Sequence, residues 1–170
     1  MKYLFFLIMI TSLMSCVNNQ TINETTTNDK MELFTENARV VQGYIDAFCN
    51  EDSAAVAEFL SDTVVRIAPG YGDTSTSKAY WLASAKVFYS VFDHAKVNNP
   101  IYIPTVDPIT MKPDGNVSAY AHWTDELSNG VKVDFKWHGL FKINTDHKIV
   151  YADEYLDLGG MLNAINTLPK

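Results

Sequence analysis

Apolar positions change their spacing several times along this chain. Tyr3 to Ile10 (YLFFLIMI) is an unbroken apolar run, whereas Val17 to Lys30 (VNNQTINETTTNDK) is almost without apolar side chains. From Met31 the period becomes helical. Phe34, Ala38, Val41, Ile45 and Phe48 fall on one stripe, which predicts an amphipathic helix. Asn50-Glu51-Asp52 interrupts it. Asp52 or Ser53 then caps a short second helix that buries Val56, Phe59 and Leu60. Val64 to Ala68 reads as a first strand and 69–73 as a loop. Thr76 or Ser77 caps a third helix with the stripe Trp81, Ala85, Phe88 and Phe92.

After His94 the period shortens to two. Ile101-Tyr102-Ile103 lies in one strand, and Asn116 to Leu127, Val131 to Ile143 and Lys148 to Leu156 are three longer ones. Pro113-Asp114-Gly115, Ser128-Asn129-Gly130 and Asn144-Thr145-Asp146 are the expected turns. Gly159-Gly160 ends the sheet, and Met161 to Leu168 is a short amphipathic tail. The order ααβαββββ predicts an α+β fold. A curved antiparallel meander is covered on one face by helices.

The first apolar run is too short to span a bilayer and follows Lys2, as the core of a secretory signal does. Leu13-Met14-Ser15-Cys16 resembles a bacterial lipoprotein box, with an aliphatic residue three places before the cysteine and a small one directly before it. That resemblance divides the chain into a signal peptide (1–15), a lipidated Cys16 with a flexible polar tether (16–30), and a folded domain (31–170). An ordinary signal peptide with an incidental cysteine is the alternative. Acyl chains add ~0.8 kcal/mol per buried methylene, so two or more hold a protein on a membrane. Val17 and Asn18 carry no acidic retention signal. The expected location is therefore the cell envelope, on the outer membrane and facing the periplasm.

Composition narrows the function classes. The 170 residues carry 13 Lys+Arg against 20 Asp+Glu, a net charge of −7. Only Lys2 leaves with the leader and few charges sit in the tether, so the acidity belongs to the domain. No basic stripe is available for phosphates, which argues against nucleic acid. The two cysteines form no disulfide framework. Cys49 lies in a helical pattern and reads as a small apolar filler. The four histidines have no metal-ligand spacing, so no metal is expected. Neither a phosphate loop nor a nucleophile motif is present, and no cofactor is expected.

Element order and three segments, VQGYIDAFCNEDSAAVAEFLSD, GLFKI and KIVYADEYLDLGGML, resemble the nuclear transport factor 2-like superfamily. This is the cone fold of ketosteroid isomerases, limonene epoxide hydrolase and SnoaL-type polyketide cyclases. The resemblance covers roughly residues 33–168. It implies a pocket inside the cone. It also implies a homodimer through the convex face of the sheet, because the fold commonly pairs there.

Hairpin register decides what faces that pocket. In strand 131–143, Val131, Val133, Phe135, Trp137, Gly139, Phe141 and Ile143 share the inner face. Two registers are open for its partner. A two-residue Asn129-Gly130 turn brings Tyr120, His122, Thr124 and Glu126 inward. A three-residue loop with a bulge at Gly130 brings Ala119, Ala121 and Trp123 inward. The second version also avoids setting Asp125 opposite Asp134. The resemblance favours the first. It sets Tyr120 and His122 where limonene epoxide hydrolase has its Arg and one Asp, and Glu154 where it has the second catalytic Asp.

His122, Glu154 and Tyr120 are therefore the candidate catalytic residues, with the His–Glu pair passing a proton. Only one carboxylate of the hydrolase pattern is kept. Tyr44 matches the oxyanion-donating tyrosine of the ketosteroid isomerases. Their base and second donor fall on Ala68 and Gly139, which argues against steroid isomerisation by that route. Candidate ligand-lining residues are Tyr44, Tyr71, Trp81, Tyr102, Thr124 and Trp137. The first reading is a tethered domain that binds a small apolar molecule. The alternatives are an acid/base hydrolase, cyclase or isomerase, and a dimeric interaction module. Changing Cys16 to Ala is expected to release the protein from the membrane fraction; a variant that stays bound places the anchor elsewhere.

Overall fold

The computed structural model describes residues 20–92, 95–127 and 130–166. The signal peptide, Cys16, His94 and Ser128-Asn129 lie outside these residues.

Four helices and six strands follow one another as α1 (Gln20–Cys49), α2 (Ser53–Phe59), β1 (Leu60–Ile67), β2 (Ser75–Thr76), α3 (Lys78–Val91), β3 (Lys96–Val106), β4 (Pro113–Glu126), β5 (Lys132–Ile143), β6 (Ile149–Leu156) and α4 (Leu158–Asn166). The first helix begins well before its apolar stripe. The segment expected to be a structureless tether is helical from Gln20 onward. Extending an existing helix costs only propagation, because the stripe at 34–48 has already supplied the nucleus.

Local chemistry fixes the other starts. Asp52 accepts from the backbone N–H of Ala54 and Ala55 at 3.1 and 2.9 Å and so caps α2. Ser77 accepts from the N–H of Tyr80 and caps α3. The turn between β3 and β4 falls at 107–112, earlier than expected. Asp107 Oδ1 takes the N–H groups of Ile109 and Thr110, and Met111 has a positive φ of 55°. Pro113-Asp114-Gly115 therefore opens β4 and is no turn. β3 begins before its Ile101–Ile103 centre, since a register shift between Asn98 and Ile101 lets the strand carry Pro100.

The sheet order is β2-β1-β6-β5-β4-β3. Strands β3 to β6 pair antiparallel in turn, as do β1 and β2, but β1 runs parallel to β6. The expected all-antiparallel meander is thus a mixed sheet. The first strand pairs with the last on one side and with the two-residue β2 on the other. α1 packs on β3 and β4, α3 on β1, and α2 joins the two helices. The fold is α+β, an open sheet wrapped around helices.

The core lies between α1, α3 and the inner sheet face. Val41, Val56, Val117, Phe141, Ile149 and Ala152 are completely buried there. A methyl group at Gly139 would lie 2.5–2.7 Å from the rings of Trp137 and Phe141, which close over this position. Gly139→Ala is expected to lower stability by about 1–3 kcal/mol through overpacking. Urea unfolding checks this, and an unchanged midpoint would show that the two rings yield freely.

Candidate functional site

The β4–β5 hairpin takes the three-residue loop. Ala121 pairs with Trp137, Trp123 with Phe135 and Thr124 with Asp134. The Leu127 N–H donates to the Val131 carbonyl at 2.7 Å, and the Gly130 N–H donates back to Leu127 O at 2.7 Å. Gly130 has φ +83°, the left-handed conformation that this loop requires.

This register corrects the expected site. Tyr120, His122 and Thr124 lie on the outer face, while Ala119, Ala121 and Trp123 face inward. The physical reason is burial: Trp123 is 6% exposed, whereas Tyr120 keeps 43% of its surface in water. Asp134 sits opposite Thr124 rather than Asp125, which removes the like-charge pair. His122 Nε2 instead lies 3.2 Å from Asp134 Oδ1 at the surface. Thr124 accepts from Asn98 Nδ2. Tyr120 stacks on His138 at 4.3 Å, and His138 stacks on Tyr155 at 5.6 Å. Since His122 and Glu154 are on opposite faces of one sheet, they pass no proton to each other.

Glu154 does face inward. It is 7% exposed and stands opposite Gly139 on β5. Its partner is Arg66 on β1. Val64 and Arg66 share the inner side of that strand, with Ala68 just past its end also on the cavity wall, so β1 delivers a guanidinium into the cone. Arg66 Nε donates to Glu154 Oε2 at 2.6 Å, and Nη2 contacts the same oxygen. Nη1 donates to Ser84 Oγ at 3.3 Å, and Ser84 in turn donates to Trp81 O at 2.8 Å. The guanidinium carbon lies 5.2 Å over the Trp81 ring, a cation–π contact. Burial alone would lower the Arg66 pKa, but the Glu154 carboxylate outweighs it and the net direction is upward.

These groups form the polar corner of a cavity of about 300 Å³. Its walls are aromatic: Tyr44 and Phe48 from α1, Tyr80, Trp81 and Phe88 from α3, and Trp123, Phe135 and Trp137 from the sheet. Leu158 and Met161 of α4 cover one end, and exposed Asp73 and Tyr80 lie at the rim. All three tryptophans of the chain line this space. Burial first, and the Glu154 charge second, push the Tyr44 phenol far above its usual range, so it remains a neutral donor.

Glu154 Oε1 has no hydrogen-bond partner among the described residues, although it belongs to the cavity wall. The cavity therefore presents one acceptor oxygen held from behind by a cation.

Other sequence candidates divide. Tyr44, Trp81 and Trp137 line the cavity. Tyr71 is wholly exposed in the 69–73 loop. Tyr102 packs against the core, but its hydroxyl is buried without a partner and lies outside the cavity wall. Arg66 and Ser84 were missed. The signal for Arg66 was its alternation with Val64 and Ala68, because a charge on the inner side of a strand requires a partner. Burial pushes the Cys49 thiol up to about 11, which leaves it protonated near neutral pH. Among the described residues no cluster could hold a metal.

No protein-family model matches the sequence, and no curated protein matches it. Solved structures do. A proposed isomerase from Bacillus subtilis is 14% identical with a TM-score of 0.67, over 80% of this chain and 96% of that one. A proposed hydroxylase, AclR from Streptomyces galilaeus, is 14% identical with a TM-score of 0.64, over 81% and 85%. A proposed polyketide cyclase from Xanthomonas campestris is 15% identical with a TM-score of 0.63, over 77% and 97%. The chain has the nuclear transport factor 2-like fold.

The Arg66–Glu154 pair yields a stability test. Arg66→Met leaves a buried carboxylate unpaired and is expected to cost about 3–5 kcal/mol. Replacing both partners, Arg66→Met with Glu154→Leu, is expected to recover most of that loss in urea unfolding. An equally unstable double variant would show that packing of the Arg66 stem, and not charge, is what matters.

Proposed function

We propose that this protein is a membrane-tethered domain that binds a small, largely apolar molecule inside its cone. The observation that carries this reading is the aromatic cavity with one polar corner. Such a space, of a few hundred cubic ångströms and with few convergent polar groups, is the usual form of a small-molecule site. The tether rests on sequence: the short apolar leader, the LMSC box and Cys16. The cell envelope is the matching location.

A second reading is an enzyme that uses Glu154 without His122. The unpartnered Oε1 supports it, and so do fold neighbours that are themselves proposed cyclases, isomerases and hydroxylases. Under that reading Glu154 takes the proton, while Tyr44 supplies the neutral hydroxyl that donates to the substrate.

Nitroaromatics quench tryptophan, and the three tryptophans surround the cavity. Titration with 4-nitrotoluene is expected to quench their fluorescence saturably. Ala85→Phe, which projects a ring into the space from α3, is expected to weaken that binding by roughly tenfold or more. Quenching that stays linear in probe concentration would overturn the binding reading.

A further inference from the structure

The same corner restricts which molecules the cavity accepts, an inference that rests on the cavity being a ligand site. Three formal charges lie on its wall: Arg66, Glu154 and Asp73. The Arg66 cation is already committed. Two of its nitrogens meet Glu154 Oε2, a third meets Ser84, and its face rests on Trp81. An incoming anion would have to displace a carboxylate from this geometry and would also approach Asp73 at the rim. Within the charged pair the free atom is an acceptor, Glu154 Oε1, and the unpartnered donors on the same wall, the indole N–H groups of Trp81 and Trp123, are neutral. That oxygen is more than nine-tenths buried and fixed in direction by the guanidinium behind it. A hydrogen bond from a neutral O–H or N–H to such an oxygen is charge-assisted and stronger than a neutral one.

We infer that the cavity selects neutral aromatic molecules that carry a hydrogen-bond donor, bound through Glu154 Oε1, and that it rejects aromatic carboxylates. Arg66 acts as a positioning residue. It consumes one carboxylate oxygen so that the other points at the ligand, and its own charge is thereby withheld from anions.

A series of one shape tests this: 4-nitrotoluene, 4-nitrobenzyl alcohol and 4-nitrobenzoate, each titrated by tryptophan quenching on the full chain. In the wild type the alcohol is expected to bind roughly tenfold tighter than the toluene. The carboxylate is expected to bind at least as far below the alcohol. Glu154→Gln frees Arg66, so the order should invert, with 4-nitrobenzoate gaining roughly tenfold or more. A role confined to stability would not move that order.

If Glu154→Gln fails to fold, Arg66→Met with Glu154→Leu gives the second readout: the alcohol loses its advantage over the toluene while the toluene still binds. Equal wild-type binding of toluene and alcohol, or tightest binding of the carboxylate, would overturn the selectivity and leave the cavity standing as a binding site. Absence of saturation with all three probes would instead overturn the binding reading itself.

Discussion

The register of the β4–β5 hairpin is the constraint on which the rest of this protein depends. Side chains alternate faces along a strand, so a slip by one residue exchanges everything inside for everything outside. The observed register commits Trp123 to the interior and leaves Tyr120 and His122 in water. Once that is set, the cone is aromatic on its sheet side. Its charge must then come from outside the β4–β5 hairpin, and it comes from β1 and β6.

An ion pair inside an aromatic cone is costly to desolvate. Arg66 and Glu154 meet that cost through multiplicity: two contacts to one oxygen, a hydroxyl from α3, and the face of Trp81. The helix that supplies Ser84 also supplies Trp81, Ala85 and Phe88 to the same wall, because these positions fall at i, i+3, i+4 and i+7. One helix face therefore lines the cavity and also steadies its charged corner.

Much of the fold was legible because burial writes a period into the chain. The stripe from Phe34 to Phe48, the caps at Asp52 and Ser77, and the inner set from Val133 to Phe141 follow from local rules. The three-residue hairpin loop was legible too, as one of the two registers open in the sequence. Its warrant, two buried alanines and a tryptophan, is a plain packing argument, and a resemblance to a catalytic site outweighed it. The parallel pairing of β1 with β6 was invisible, since strands joined through most of the domain leave no local mark. The site was half legible for the same reason. Glu154 follows from alternation in its own strand, but its partner lies 88 residues away.

That separation bears on how the protein comes into being. Chain closure over so long a segment is entropically expensive, and the contact forms only after the intervening strands have found their places. The polar corner is assembled from the first strand of the sheet and the last, with α4 following as the cover. A chain still emerging from its point of synthesis holds Arg66 without a counter-ion until nearly all of the domain has been made. The ability to hold a guest is then among the last properties the folding chain acquires. A truncated or stalled chain would carry most of the helices and none of the selectivity.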